Sequence, residues 1–224
     1  MTMYKTIIAA LTAVAIASPA LANDEQFQAW GGVFATKEIS DNSVLWLEAQ
    51  TRFSDGASRL GQLLLRPGLG FNIGESSVAF IGYAYVRTAS SGAATTHEHR
   101  IWQQLTHTFT GEGASVTLWS RTRFEQRFLE NSGDMGLRFR QLIRATTPIQ
   151  DGLLAVFWTE PFLNLNNTNW GQRSGVDQWR NFVGLNVSLS PSLSLEAGYL
   201  NQFVARPGVN RVNHILNVGT NIRF

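Results

Sequence analysis

Eleven runs of apolar–polar alternation, each roughly a dozen residues long, follow one another through the chain: 26–37, 43–53, 61–73, 77–88, 96–109, 114–128, 135–148, 152–164, 177–189, 192–204 and 211–224. Period two places successive side chains on opposite faces of a strand, so the pattern specifies β structure with two chemically distinct faces. No stretch carries a helical period. The runs are also long: strands of globular proteins are mostly ~5–6 residues, whereas a tilted strand crossing a bilayer needs ~9–11.

The connections fall into two kinds. Asn72–Ser77, Gly111–Ala114, Gln150–Gly152 and Ser190–Pro191 read as tight turns. Ser54–Leu60, Ala89–Thr95, Glu130–Asp134, Asn166–Val176 and Ala205–Asn210 read as longer polar loops. Short turns at one end and longer loops at the other are the habit of outer-membrane barrels, with the long loops outside the cell.

Which face meets lipid follows from charge. In 114–128 one face carries Trp119, Arg121, Arg123, Glu125 and Arg127, and the other Leu118, Phe124 and Phe128. In 135–148 Arg138, Arg140 and Arg144 share a face opposite Leu137, Phe139 and Ile143. One arginine facing lipid near the midplane costs ~2–4 kcal/mol, and several would match the ~5–15 kcal/mol stability of a whole domain. In a membrane, therefore, the arginines must face the lumen. Seven Trp suit interfacial anchoring, and the chain ends within a run, on Phe224, which resembles a C-terminal assembly signal of outer-membrane barrels. A secreted β-sandwich is the soluble alternative.

The expected fold is all-β: a transmembrane antiparallel β-barrel of 10–12 strands with short periplasmic turns and longer extracellular loops. Eleven is awkward, since single-chain bacterial barrels have even counts. Either 26–37 threads the lumen of a ten-strand barrel or a missed strand makes twelve.

The first residues read as an address. Lys5, an apolar stretch from Ile7 to Ile16, then Ser18-Pro19 and Ala20-Leu21-Ala22 give the order of a secretory signal, with cleavage expected after Ala22. Residues 1–22 are thus assigned as signal peptide and 23–224 as the barrel domain. The mature segment would carry 17 basic and 16 acidic groups. Localisation is expected in the outer membrane of a Gram-negative cell after export to the periplasm. The partners implied are outer-membrane lipids, the barrel-assembly machinery and an anionic small solute. Oligomeric state stays open. Nucleic acid is not expected, because the arginines alternate with apolar residues instead of forming a patch.

The segments His99-Arg100-Ile101-Trp102-Gln103, Arg121-Thr122-Arg123-Phe124-Glu125-Gln126-Arg127 and Arg138-Phe139-Arg140 resemble an uncharacterised outer-membrane β-barrel family, domain of unknown function 2490. Gln178 and Arg180 followed by Gly184, then Glu196-Ala197-Gly198-Tyr199, continue the likeness, with Trp179 a small departure. The resemblance implies a small outer-membrane barrel and no particular chemistry.

Hairpin geometry organises the charged face. Folding each run onto the next sets Arg100 near Glu125, Glu98 near Arg127 as a pair at the lumen mouth, Glu125 near Arg140, Arg140 opposite Glu160, and Glu160 facing Arg180. Each pairing is good to about two residues, and parity survives such a slip. This predicts a lumen belt of alternating sign: Arg100, Glu125, Arg140, Glu160 and Arg180. Arg121, Arg123, Arg138 and Arg144 share that wall without obvious acids, as do Arg52 and Arg66 on earlier strands, which suits an anion pathway. The alternative is a non-conducting barrel whose belt only fills and stabilises the lumen. A lipid-modifying enzyme is the third class, with His97, His99, His107 and His214 as its histidines. No catalytic residues are assigned: Ser120 lies far along its strand from His99. His97-x-His99 lacks a third metal ligand, no cofactor motif is complete, and the chain has no cysteine.

Overall fold

A computed structural model describes residues 22–111 and 113–224. The signal-peptide assignment, residues 1–22, falls outside these residues except for Ala22. Eleven strands follow in order: β1 (Ala22–Ser40), β2 (Ser43–Ser54), β3 (Arg59–Gly74), β4 (Ser77–Thr88), β5 (Thr96–Thr108), β6 (Thr117–Leu129), β7 (Met135–Gln150), β8 (Leu153–Asn164), β9 (Gly175–Ser190), β10 (Leu193–Val204) and β11 (Asn210–Arg223). Each pairs with its sequence neighbours, and β1 pairs with β11 to close a barrel.

Ten of the pairings are antiparallel hairpins. The closing pair, β1 with β11, is parallel, running from Ala22↔Asn210 to Thr36↔Arg223. The expected antiparallel barrel of 10–12 strands is present with eleven, its closing ladder alone being parallel, and 26–37 neither threads the lumen nor needs a twelfth strand beside it. The physical reason is parity. With an odd number of hairpin-linked strands the first and last point the same way, so the ring closes only through a parallel ladder.

At the turn end, four of five connections are two residues long. They are residues 41–42, 75–76, 151–152 and 191–192. Gly152 takes a positive φ of 73° there, a conformation open to glycine. The fifth, between β5 and β6, spans residues 109–116 and is longer than the tight Gly111–Ala114 turn expected from sequence. The opposite end carries the longer loops, up to residues 165–174 between β8 and β9.

The barrel is inside-out relative to a soluble protein. Leu47, Leu65, Ile81, Ile101, Val183 and Leu216 are exposed on the outer wall. Arg66, Arg123, Glu125, Arg138, Arg140 and Glu160 are all buried within. A continuous apolar exterior of this kind fits lipid and not water, which removes the soluble-sandwich alternative.

Two apolar clusters pack against the charges inside: Trp30, Val156, Phe182, Leu200 and Ile215, and Phe80, Ala84 and Trp102. Glycines make room for their rings. A Cβ on Gly82 would lie 2.3 Å from the Trp102 ring and 2.4 Å from the Pro67 carbonyl oxygen. The indole lies flat against the wall, and its Nε1 donates to the Tyr83 carbonyl at 3.1 Å.

Candidate functional site in the barrel lumen

Strand parity sets every charged lumen residue except Asp177. Arg121, Arg123, Glu125 and Arg127 alternate along β6, and Arg138, Arg140 and Arg144 along β7. Glu48 on β2 and Arg66 on β3 are register partners. The five belt residues Arg100, Glu125, Arg140, Glu160 and Arg180 are all buried, as expected.

The registers differ from the hairpin geometry by two residues at three of four steps. Glu125 opposes Trp102 and Arg138, and Arg140 opposes Phe162; Glu160 opposes Arg180 as expected. The slip between β5 and β6 follows from the longer turn, which shifts the centre of the hairpin. Because parity survives, every residue keeps its face while the partners change.

Glu125 is the hub. Its Oε2 accepts from Arg138 Nη2 at 2.6 Å and Nε at 2.9 Å, and its Oε1 accepts from Arg140 Nη1 at 3.1 Å. Arg66 Nη2 reaches Glu125 Oε1 at 3.6 Å from β3, across the interior. Glu160 forms a second node, accepting from Arg140 Nη2 at 2.8 Å and Arg121 Nη2 at 2.9 Å. At the loop end Glu98 holds both Arg100 (2.7 Å) and Arg127 (2.6 Å), so the predicted mouth pair Glu98–Arg127 is present.

Two belt contacts are corrected. Arg100 forms no ion pair with Glu125, because its guanidinium is engaged by Glu98 two residues away on its own strand. Arg180 directly opposes Glu160 but makes no ion pair with it among the described residues. Its Nε instead donates to Gln178 Oε1 at 3.0 Å, and its guanidinium lies 4.9 Å from the Trp30 ring centre and 4.5 Å from that of Phe162.

The arginines without obvious acids in the sequence also divide. Arg66 pairs with Glu48 at 2.6 Å, Arg121 with Glu160, Arg138 with Glu125 and with Asp177 at 3.2 Å, and Arg144 with Glu196. Arg144–Glu196 and Arg121–Glu160 skip over intervening strands, which neighbour-to-neighbour reasoning misses. Asp177 was hidden for another reason. The β8–β9 register shifts between Phe162↔Gln178 and Leu163↔Val176, and the bulge re-aims the Asp177 carboxylate into the lumen.

Arg52, Arg123 and Arg180 have no carboxylate within ion-pair distance among the described residues. Arg123 donates from Nε to Gln104 Oε1 at 2.9 Å and lies 4.9 Å from the Trp102 ring centre. Arg52 donates to Gln62 at 2.7 Å and Gln50 at 2.9 Å, and lies 4.0 Å from the Trp30 ring centre. In total eleven arginines meet six carboxylates in the lumen, leaving five positive charges in excess.

A cavity of about 970 Å³ follows the charged wall. Its lining runs from Thr88, Glu98 and Gln178 at the loop end to Thr36, Thr117 and Arg223 at the turn end. Phe224 sits just beyond β11 at the turn-end rim, exposed, with its N–H donating to the Thr36 carbonyl at 3.1 Å.

The four histidines lie on the outer wall. Tyr83, Tyr85 and Tyr199 hydroxyls sit 2.5–2.6 Å from Nδ1 of His99, His97 and His214. Ser77 Oγ is 2.8 Å from His107 Nδ1, a pairing not anticipated from sequence because the residues lie 30 positions apart. Among the described residues no carboxylate bonds to His107, and no group of three or more acidic or histidine side chains is placed to hold a metal.

A family model described as "Protein of unknown function (DUF2490)" matches residues 27–213. The chain belongs to this family. The resemblance carried by the 98–140 segments therefore extends over most of the barrel. An uncharacterized protein of Methylorubrum extorquens is 34% identical over 226 residues, an alignment that covers 98% of each chain. Among solved structures the chain is similar to LpxR from Salmonella typhimurium, with TM-score 0.49 and 10% identity over 79% of this chain and 83% of that one. It is also similar to the NanC porin, with TM-score 0.47 and 12% identity over 81% of this chain and 89% of that one.

Proposed function

We propose that this barrel spans the outer membrane and forms a narrow pore that favours small anionic solutes. The apolar outer wall supports residence in lipid, and the sorting of short turns from long loops supports an orientation with the loops outside. Lipids would contact that wall, and the assembly machinery would engage the C-terminal strand ending at Phe224.

The observation that carries the pore reading is a lumen cavity lined from one end of the strands to the other, in which arginine outnumbers carboxylate. In a narrow, low-dielectric passage uncompensated guanidinium attracts anions and repels cations. The deciding experiment is single-channel recording of refolded protein in a planar bilayer under a salt gradient. Discrete openings with an anion-selective reversal potential are expected, and silence from protein shown to be folded and inserted overturns the pore.

One observation favours a second reading, a closed barrel. Arg66–Glu125, Arg121–Glu160 and Arg144–Glu196 each tie strands that are not neighbours, and the Glu125 side chain is fully buried. In that reading the network fills the lumen and only stabilises it.

A further inference from the structure

A second cavity, of about 530 Å³, opens at the loop end. It falls within the ~300–1,000 Å³ typical of small-ligand sites. Its wall and that of the main lumen share six residues: Trp30, Arg52, Gln62, Thr88, Gln178 and Arg180. These residues form the boundary between vestibule and lumen. Two arginines without a carboxylate, Arg52 and Arg180, sit on it, both packed against Trp30.

The boundary is built and not incidental. Gln62 Nε2 donates to Thr88 Oγ1 at 2.9 Å, which turns its Oε1 toward Arg52. Gln50 Nε2 donates to Glu48 Oε1 at 2.8 Å, which turns its Oε1 toward the other Arg52 terminal nitrogen. Gln178 Oε1 accepts from both Arg180 Nε and Gln202 Nε2, and Asn213 Nδ2 donates in turn to Gln202 Oε1 at 2.8 Å. Neutral amides thus fix both guanidinium groups in place without cancelling their charge. The Arg52 Nε and the Asn213 Oδ1 are buried with no partner, and the terminal nitrogens of Arg180 make no hydrogen bond among the described residues.

We propose that Arg52 and Arg180 form a binding site for the oxyanion head of a hydroxyl-bearing small solute, held at the boundary before it enters the lumen. Planar guanidinium forks match carboxylate and phosphate oxygens. The amides around them, Gln26, Gln28, Gln62 and Gln202, offer neutral donors and acceptors suited to hydroxyls. At the rim Arg59 is paired with Asp55, and Arg206 and Arg211 share Asp24, so the rim holds one surplus positive charge against two at the boundary. As a step in transport the proposal rests on the pore reading; as binding it needs only an accessible loop end.

The test is isothermal titration of the full refolded chain in micelles at constant ionic strength. The probes are glucuronate, glucose 6-phosphate, glucose and the neutral isostere glucuronamide. Saturable binding of glucuronate or glucose 6-phosphate, with none of glucose or glucuronamide, is expected, and binding of only one assigns the head group. Arg52→Gln and Arg180→Gln should each weaken that binding at least tenfold, while Arg173→Gln, exposed on the loop between β8 and β9, leaves it unchanged. Equal heats for glucuronate and glucuronamide, or undiminished binding by folded Arg180→Gln, overturn the site. Should both arginine variants fail to fold, the comparison of the two isosteres on the unmodified barrel still decides. Binding without conductance removes the pore and keeps the site; anion-selective conductance without saturable binding removes the site and keeps the pore.

Discussion

Glu125→Gln is the substitution with the clearest expected cost. The change preserves size and one carbonyl acceptor but removes the charge on which Arg138, Arg140 and Arg66 converge at 2.6, 3.1 and 3.6 Å. Breaking a buried pair by removing one partner costs about 3–5 kcal/mol. Three guanidinium groups lose a partner here, which pushes the cost up. Each also keeps another acid, Asp177, Glu160 and Glu48 respectively, which pulls it down. These corrections oppose each other, so about 3–5 kcal/mol stands as the expectation, a large part of the ~5–15 kcal/mol available to a domain. The assay is urea unfolding of the refolded barrel in micelles, followed by mobility on an unheated gel, with a midpoint loss on the order of 2 M. Glu196→Gln is the comparison: its carboxylate ties only Arg144 and is less deeply buried than that of Glu125, so about 1–2 kcal/mol is expected. A Glu125→Gln barrel within 1 kcal/mol of the unmodified chain, or equal to Glu196→Gln, would refute the hub, on the scale of ~1 kcal/mol for an ordinary hydrogen bond.

Gly82→Ala should lower stability by about 1–3 kcal/mol, as overpacking does, measured by the same unfolding midpoint. Adding Trp102→Leu should recover only part of the loss, because the Pro67 carbonyl also blocks the new methyl. Deleting Phe224 should leave the refolded midpoint nearly unchanged, since the side chain is exposed, but reduce the yield of membrane-inserted barrel in cells; equal yields refute its assembly role. Ser77 should not be labelled by a fluorophosphonate probe, because the Ser77–His107 pair lacks an orienting carboxylate among the described residues. Labelling that disappears in Ser77→Ala would instead establish a reactive serine.

Much of the barrel was legible because alternation is a local signal with a global meaning. The run 114–128 exposes its two faces in sequence, and the cost of arginine in lipid decides which is inward. That reasoning placed Arg121, Arg123, Glu125 and Arg138 inside without any knowledge of register. Partners were less legible. The turn between β5 and β6 is longer than its glycines indicate, and a two-residue slip replaces Arg100 with Trp102 opposite Glu125. Glu48 directly opposes Arg66 in the β2–β3 hairpin, so that pair lies within reach of hairpin geometry once it is applied to the earlier strands. Glu196 does not, because Arg144 reaches past two strands to meet it and hairpin geometry counts only neighbours. Asp177 was overlooked because a bulge reverses its face, and no short-range pattern distinguishes a bulge from an ordinary step. The Trp30–Arg52–Arg180 boundary combines strands from both ends of the chain, so it emerges only once the ring is closed.

The parallel joint between β1 and β11 also governs the order in which the molecule can be made. Every other ladder unites segments separated by a turn or loop, whereas Asp24 and Arg211 meet across 187 positions. The loop-closure entropy of that joint is the largest in the molecule, and it cannot be offset by a hairpin seeded nearby. Until the final strand arrives, β1 presents a long unpaired edge able to recruit any extended chain. The last strand is therefore the keystone of the ring: it shuts that edge against aggregation and completes the enclosure in one event. A chain cut before residue 210 would retain nine hairpins and have no inside.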